Sequence, residues 1–170
     1  MRTLIICVLL ISVLISPRVM AGENIWDDAA KAITRLSPKE FPQLPSEAVT
    51  NLIKLGCTIP QPTFFIKDKA NVISGSFAKR GQKDYAVLCS LNGVSHIQLI
   101  WGGASRCESE IEFSEDRGYL QVVLPGEISY SRTIGTVIGN VDGIEDSYIE
   151  KASSIFYCVN GKWTEVQGAD

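Results

Sequence analysis

The segment DYAVLCSLNGVSHIQLIW, residues 84–101, carries the clearest fold signal in the chain. Asn92-Gly93 divides it into two apolar segments, and this residue pair is typical of the two-residue turn that joins antiparallel strands. In the second segment Ile97, Leu99 and Trp101 alternate toward one side, which is the period of a strand with one buried face. Residues 84–101 therefore predict a β-hairpin.

The same signals continue on both sides of this hairpin. Apolar segments rich in β-branched and aromatic residues recur, and most are bounded by glycine, proline or asparagine. A second asparagine–glycine pair, Asn160-Gly161, joins the last two segments and predicts another hairpin. The predicted strands outside residues 84–101 lie in 71–77, 118–124, 153–159 and 162–167.

Upstream of the strands, the apolar spacing is that of helices. A first helix is predicted between Asn24, a capping residue, and Pro38, which ends it. A second is predicted between Ser46 as its cap and Gly56 as its stop. Their apolar faces would consist of Ile25, Trp26, Ala29, Ile33 and Leu36 in the first helix and Val49, Leu52, Ile53 and Leu55 in the second. The prediction is an α+β protein, with two N-terminal helices followed by an antiparallel region of about five to seven strands.

The beginning of the chain has the features of a secretory signal peptide. Arg2 precedes an apolar segment and Ala21 ends a stretch suited to cleavage, so residues 1–21 are predicted to be removed. The apolar segment is shorter than the roughly 20 residues that span a bilayer, and no later segment is apolar enough to anchor the chain. Residues 22–170 would then form a single domain, periplasmic or secreted, without a membrane anchor.

Charge and cysteine content agree with export. The chain has 16 basic and 19 acidic residues, and removal of residues 1–21 takes away two arginines and no acid. This acidic balance, without a basic cluster, argues against a nucleic-acid partner. Four of the five cysteines follow the signal peptide, and an even number in an exported chain predicts two disulfides. Three pairings are open; joining neighbours in sequence gives Cys57–Cys89 and Cys107–Cys158.

The turn that precedes the first hairpin resembles a known repeat, the FG-GAP repeat of integrin-like β-propellers. The residues that carry the resemblance are Gly75, Phe77, Gly81, Asp84 and the strand Ala86-Val87-Leu88. In that family the turn binds calcium, which needs six to eight oxygen ligands. Here Ser76, Ala78 and Arg80 stand where the family places acidic or amide ligands. This turn is therefore predicted not to bind calcium, and Asp84 is interpreted as fixing the turn through backbone hydrogen bonds.

A second turn, residues 140–146, keeps more of the ligands. Its Asn-x-Asp-Gly-x-x-Asp core again resembles the FG-GAP turn and part of an EF-hand-like loop. Asn140, Asp142 and Asp146 could share a calcium ion, completed by a backbone carbonyl or a water. Ile138 occupies the first ligand position, so the alternative is a surface turn rich in asparagine and aspartate. Calcium at this turn is the only cofactor that the sequence suggests.

Longer parts of the chain resemble a group of exported bacterial proteins. The resemblance rests on LGCTIPQ (residues 55–61), on residues 71–90 and on residues 142–163. It implies export and carries no particular activity with it.

Catalytic motifs are few. His96 is the only histidine, and it lies in a predicted strand without a nucleophile motif, so a serine–histidine–aspartate site is not expected. Glu108, Glu110 and Glu112 would share one strand face, for which a solvated surface is the simpler interpretation. The enzymatic alternative is a small secreted hydrolase that uses Glu108, Glu110, or Asp142 with Asp146.

The remaining function class is binding. Aromatic residues of the strand region could form a surface for a glycan or a protein, although most of them would be core. They are Trp101, Tyr119, Tyr130, Tyr148, Phe156, Tyr157 and Trp163. The sequence favours an exported, disulfide-bonded, non-catalytic envelope protein that acts by binding a protein or glycan partner. A calcium-stabilised interaction module and the hydrolase are the alternatives.

Overall fold

A computed structural model describes residues 32–62, 68–108, 110–112, 116, 118–126, 128–131, 135–148 and 152–168. Its first elements are β1 Thr34–Leu36, a 3-10 helix Pro38–Glu40, α1 Ser46–Lys54 and β2 Ile59–Gln61. The middle elements are β3 Val72–Gly75, β4 Asp84–Leu91, β5 Val94–Ile100, β6 Glu110–Glu112 and β7 Gly118–Val123. The last elements are β8 Ile128–Ser131, β9 Gly135–Ile138, β10 Gly143–Tyr148, β11 Ala152–Val159 and β12 Lys162–Gln167.

Both predicted hairpins are present. Asn92 and Gly93 have φ angles of 54° and 85°, the left-handed values that a tight two-residue turn requires, and β4 pairs with β5 beyond them. Asn160 and Gly161 adopt the same conformation between β11 and β12, with φ angles of 54° and 80°. Because asparagine and glycine tolerate this backbone region, both turns follow directly from the local sequence.

The strands form three antiparallel sheets. The first hairpin lies in a four-stranded sheet with the order β3-β4-β5-β6, and the second lies in a six-stranded sheet with the order β7-β10-β11-β12-β8-β9. β1 and β2 form a small third sheet. A bridge between Thr58 and Ser90 connects the residue before β2 to β4, so the small sheet is attached to the four-stranded one.

Two core layers lie on opposite faces of the four-stranded sheet, because successive residues of a strand point to opposite sides. One layer packs against the six-stranded sheet and contains Phe77, Ala86, Leu88, Ile97, Leu99, Ile111, Leu120, Ile144 and Phe156. The other lies under α1 and the 3-10 helix and contains Phe41, Leu44, Leu52, Cys57, Ile59, Tyr85, Val87 and Cys89. The protein is therefore a sandwich of two sheets, with α1 on the outer face of the smaller sheet.

The prediction of an α+β protein with two N-terminal helices is wrong. α1 is the one α-helix among the described residues, strands predominate, and the end of the predicted first helix is strand β1. Leu36 pairs with Ile59 of β2 and packs against the core under α1, so backbone pairing and burial outweigh the helical spacing of the apolar residues. The rest of that predicted helix and the predicted signal peptide lie outside the described residues.

The second predicted helix is confirmed with two differences. It begins at Ser46 itself, preceded by Pro45, and Ser46 does not cap it. Gly56 follows the helix with a φ of 78°, the left-handed conformation of a glycine stop. Of the predicted apolar face, Leu52 is buried, but Ile53 and Leu55 are 40% and 56% exposed. The apolar spacing predicted the helix correctly and predicted too wide a buried face.

Two disulfides join distant parts of the chain. Cys57 is bonded to Cys89, with Cα atoms 5.3 Å apart, and Cys107 is bonded to Cys158, with Cα atoms 5.9 Å apart. The pairing of sequence neighbours is confirmed, and the first bridge fixes the chain after α1 to β4. Disulfides are typical of proteins that fold in an oxidising compartment. Among the described helices, none has the length and apolar character needed to cross a membrane.

Candidate functional site

The two turns that resemble calcium-binding loops lie against each other. The backbone amide of Ser76 donates to Asp142 Oδ2 at 2.6 Å, and the amide of Asp142 donates to the Ser76 carbonyl at 3.2 Å. Arg80 Nε donates to the carbonyl oxygen of Asn140 at 3.1 Å. A carboxylate and a guanidinium group therefore connect the two turns directly.

Asp84 connects this pair of turns to the loop after β5. Its Oδ2 accepts a hydrogen bond from the amide of Ala78 at 3.1 Å, and its Oδ1 accepts from the amide of Gly102 at 3.0 Å. Gln82 Nε2 also donates to Oδ1, at 2.7 Å, and its amide exchanges hydrogen bonds with the backbone of Ser105. The interpretation of Asp84 as a residue that fixes the turn is confirmed. We call residues 75–84, 102–106 and 139–142 the loop end.

The three predicted calcium ligands have different surroundings. Asn140 is exposed, and Asp142 is engaged with Ser76 at the loop end. Asp146 lies further along β10, where it is 3% exposed and opposite Leu120 in register. Within the described ranges, no three His, Cys, Asp or Glu side chains are grouped so that they could hold a metal ion. A calcium site at residues 140–146 stays a prediction.

Asp146 is a buried carboxyl group whose Oδ1 has no hydrogen-bond partner in the part of the chain that the structure describes. Burial raises the pKa of Asp146 to about 7, the negative charge of Glu145 acts in the same direction, and a hydrogen bond from the Tyr119 backbone opposes both. A side chain at Gly118 would collide with Oδ1, so this glycine makes room for the carboxyl group. Asp146 is therefore protonated up to a higher pH than an exposed aspartate, but it is shielded from the surface.

Asp116, which sequence reasoning missed, is a buried carboxylate with a full set of partners. Its Oδ2 accepts from Arg35 Nε at 2.8 Å and from Ser90 Oγ at 2.9 Å, and its Oδ1 accepts from Ser95 Oγ at 2.5 Å. Burial would raise the pKa of this carboxyl, but the hydrogen bonds from Ser95, Arg35 and Ser90 outweigh it and lower the pKa below its ordinary value. The two serines face each other in the first hairpin. This pair of small polar residues in otherwise apolar strands is the sequence feature that could have indicated a buried polar partner.

The glutamates and the histidine singled out from the sequence lie around β6. Ile111, between Glu110 and Glu112 in β6, is buried. His96 Nδ1 lies 2.8 Å from Glu110 Oε1, which is close enough for an ion pair when the imidazole is protonated, although the two atoms do not form a hydrogen bond. Glu108 is exposed in the loop before β6. The aspartates of the hydrolase hypothesis lie in β10 and just before it, and β10 belongs to the other sheet.

A cleft of about 350 Å³ lies between α1 and the end of β5. We call it the α1–β5 cleft. One wall comes from α1 and its flanks and the other from β5: the lining residues are Pro45, Glu47, Ala48, Asn51, Leu52 and Leu55, and Gln98, Leu99, Ile100 and Trp101. Its volume is near the lower end of the range for small-ligand sites.

The attachment of α1 fixes the shape of this cleft. Leu52 is 3% exposed and anchors the last turn of the helix, and the Cys57–Cys89 bridge holds the chain just after it. Leu55, between these two anchors, is 56% exposed and lines the cleft. The residue that could have indicated the cleft is therefore Leu55, because it is apolar and yet exposed. Its exposure is known only once the packing of α1 is known.

The polar side chains of the cleft are not engaged with the rest of the protein. Glu47, Asn51 and Gln98 make no side-chain hydrogen bond or ion pair with any described residue. Trp101 stacks on Trp163, with ring centroids 6.2 Å apart and planes inclined by 19°. The indole of Trp101 therefore belongs to the layer between the two sheets. The cleft places unengaged hydrogen-bonding groups beside the apolar side chains of Leu55 and Ile100.

No family model, curated protein or solved structure matches this chain. The chemistry of the cleft is therefore inferred from its own side chains. They can donate and accept hydrogen bonds, cover apolar surface and attract a cation through Glu47. None of the lining residues is a serine, threonine, cysteine, histidine or lysine, so the lining offers no nucleophile next to a base.

Proposed function

We propose that the protein is an exported binding protein that holds its ligand in the α1–β5 cleft without reacting with it. The observation that carries this proposal is the set of unengaged polar side chains, Glu47, Asn51 and Gln98, next to the exposed Leu55. Polar groups that line a fixed concave surface without internal partners are the groups that orient a ligand in small-molecule sites. The two disulfides support export because they suit an oxidising compartment.

The carboxylates outside the cleft favour binding over catalysis. Asp84, Asp116 and Asp142 accept hydrogen bonds from other parts of the protein, so their charge stabilises the fold. Asp146 has the raised pKa of a general acid, but it lies inside the sandwich and not in the cleft. Glu47 is the only ionisable side chain among the cleft residues, whereas acid–base catalysis commonly uses two groups with different pKa values.

A ligand screen with two matched variants tests the proposal. A glycan array and a displayed library of random peptides would be probed with the full chain, with Leu55→Glu and with Leu124→Glu. Both leucines are exposed, 56% and 62% respectively, and only Leu55 lines the cleft. We expect a ligand that the wild type and Leu124→Glu retain and Leu55→Glu loses. No ligand from either collection, or equal binding by Leu55→Glu, would contradict the proposal.

A further inference from the structure

The charge of the α1–β5 cleft limits the class of ligand. Its single ionisable side chain is Glu47, and the whole chain has a formal net charge of −3. A phosphate, sulfate or carboxylate group in the cleft would meet this carboxylate without a compensating lysine or arginine in the lining. Nucleotides, phosphopeptides and acidic polysaccharides therefore do not suit the cleft, and a neutral or weakly basic ligand does.

The hydrogen-bonding groups limit it further. Glu47 and Asn51 are one helical turn apart on α1 and therefore lie on the same side of the helix, while Gln98 lies on the β5 wall. A carboxylate only accepts hydrogen bonds, whereas each amide both donates and accepts them. Hydroxyl groups on neighbouring carbons can also donate and accept, so a polyhydroxylated ligand can satisfy all three side chains at once. A purely apolar ligand would leave them desolvated without partners.

The apolar part of the lining suits the faces of a sugar ring. Leu55 and Ile100 lie on opposite walls of the cleft and supply its apolar surface. A pyranose ring carries its hydroxyl groups around the edge and C–H groups on its faces, so it can pack on apolar side chains while its edge is hydrogen-bonded. The cleft volume of about 350 Å³ has room for one or two such rings.

We infer that the α1–β5 cleft binds one or two rings of a neutral oligosaccharide, through hydrogen bonds that Glu47 accepts and that Asn51 and Gln98 donate and accept, and through packing on Leu55 and Ile100. This inference rests on the proposed function, since it names the ligand of the same cleft. The fixed position of α1, held by Leu52 and the Cys57–Cys89 bridge, keeps the two walls in place before the sugar arrives. Such preorganisation lowers the entropic cost of binding.

The test uses a glycan array that presents neutral, sulfated and uronic-acid-containing oligosaccharides to the full chain. The neutral oligosaccharide with the highest signal is then titrated in solution against the wild type, Asn51→Ala, Gln98→Ala and Gln43→Ala. Asn51 is exposed on α1 and alanine is the best helix former, so Asn51→Ala leaves the fold intact. Gln43 is an exposed amide outside the cleft and serves as the control.

We expect retention of neutral glycans, with Kd raised roughly tenfold by Asn51→Ala and by Gln98→Ala, as for a lost hydrogen bond, and unchanged by Gln43→Ala. A preference for anionic glycans would overturn the inference. If no glycan binds but a library peptide binds the cleft and is lost with Leu55→Glu, the sugar inference fails and the proposed function stands. Glycan binding that neither Asn51→Ala nor Gln98→Ala weakens would overturn both, and so would the absence of any ligand.

Discussion

The loop end and the α1–β5 cleft contain the same kinds of polar side chain in opposite circumstances. At the loop end, Asp84 and Asp142 accept hydrogen bonds from backbone amides, and Gln82 bridges two loops. In the cleft, Glu47 and Gln98 have no such partners among the described residues. The motifs of the loop end resemble metal-binding turns in the sequence, but in the structure the side chains of these turns hydrogen-bond to other parts of the protein and stabilise the fold. Groups available to a ligand are found where no motif marks them.

The largest expected effect is on the loop end. Asp84→Ala removes an acceptor that is fully buried and serves the amides of Ala78 and Gly102 and the side chain of Gln82. Three donors would lose a charged partner, so we expect the free energy of unfolding to fall by roughly 4 kcal/mol. Urea denaturation measures it, with the exposed Asp68→Ala as a control of equal charge change. Equal stability of the two variants would show that the loop end is not fixed in this way.

Asp146 differs from the carboxylates of the loop end and the cleft because it is buried without being fully hydrogen-bonded. Its pKa in the folded protein is about 7 against an ordinary aspartate value of 3.8, so the folded state binds the proton more tightly than the unfolded state. The contribution of Asp146 to the free energy of unfolding is therefore fully present below about pH 4 and is lost as the pH rises through 7. We expect Asp146→Asn to raise the free energy of unfolding at pH 8 by roughly 2 kcal/mol, and to do so much less at pH 4.

Asp116→Asn is the matched control for that experiment. The pKa of Asp116 is lowered in the folded state by Ser95, Arg35 and Ser90, so its contribution to stability is present above the ordinary aspartate value of 3.8 and is lost as the pH falls below it. The substitution should therefore destabilise the protein at pH 7. Denaturation curves between pH 3 and pH 8 compare the two variants. The same sign of effect for both at pH 8 would contradict the contrast between the two carboxyl groups.

The expected effect of calcium on the melting temperature is smaller than the effects of these substitutions on stability. Asp142 already accepts a hydrogen bond from Ser76, and Asp146 lies in different surroundings, so we expect the melting temperature in calcium to equal that in a chelator within about 1 °C. Differential scanning fluorimetry measures both. An increase of several degrees that Asn140→Ala removes would establish the calcium-stabilised module as the correct alternative.

The sequence predicted the local parts of this structure well. Asn92-Gly93 and Asn160-Gly161 predicted the two tight turns, and Gly56 predicted the end of α1. Pairing cysteines that are neighbours in the sequence predicted both disulfides. The helix prediction was wrong at residues 34–36 because their strand conformation comes from pairing with β2, which lies more than 20 residues further along the chain. The order of the six-stranded sheet and the partners of Asp116 depend on contacts of the same long-range kind.

The cleft could not be predicted for a related reason. Leu55 and Gln98 are brought together only when α1 packs on the four-stranded sheet, and neither residue belongs to a motif. Apolar spacing placed Leu55 on the buried face of its helix, whereas the observed packing buries Leu52 and leaves Leu55 exposed. When a helix packs on a sheet to form a site, the sequence shows only an apolar residue such as Leu55. Apolar spacing predicts that this residue is buried, and the structure shows that it is exposed.

The smallest expected effect on stability is that of Leu55→Glu. Because Leu55 is 56% exposed, we expect the free energy of unfolding to change by less than about 0.5 kcal/mol, as for Leu124→Glu. Urea denaturation of the two variants checks this. Equal stability together with loss of ligand by Leu55→Glu alone would separate the cleft from the loop end, where substitutions are expected to act through the fold. Strong destabilisation by Leu55→Glu would remove that distinction.

A map of the binding surface by backbone amide chemical shifts distinguishes the α1–β5 cleft from the loop end as the ligand site. The isotope-labelled full chain would be titrated with the neutral oligosaccharide that gives the highest array signal. We predict shifts concentrated in residues 47–55 and 98–101, with residues 76–84 and 140–142 unchanged. Shifts concentrated at the loop end, with the cleft amides unchanged, would contradict the account.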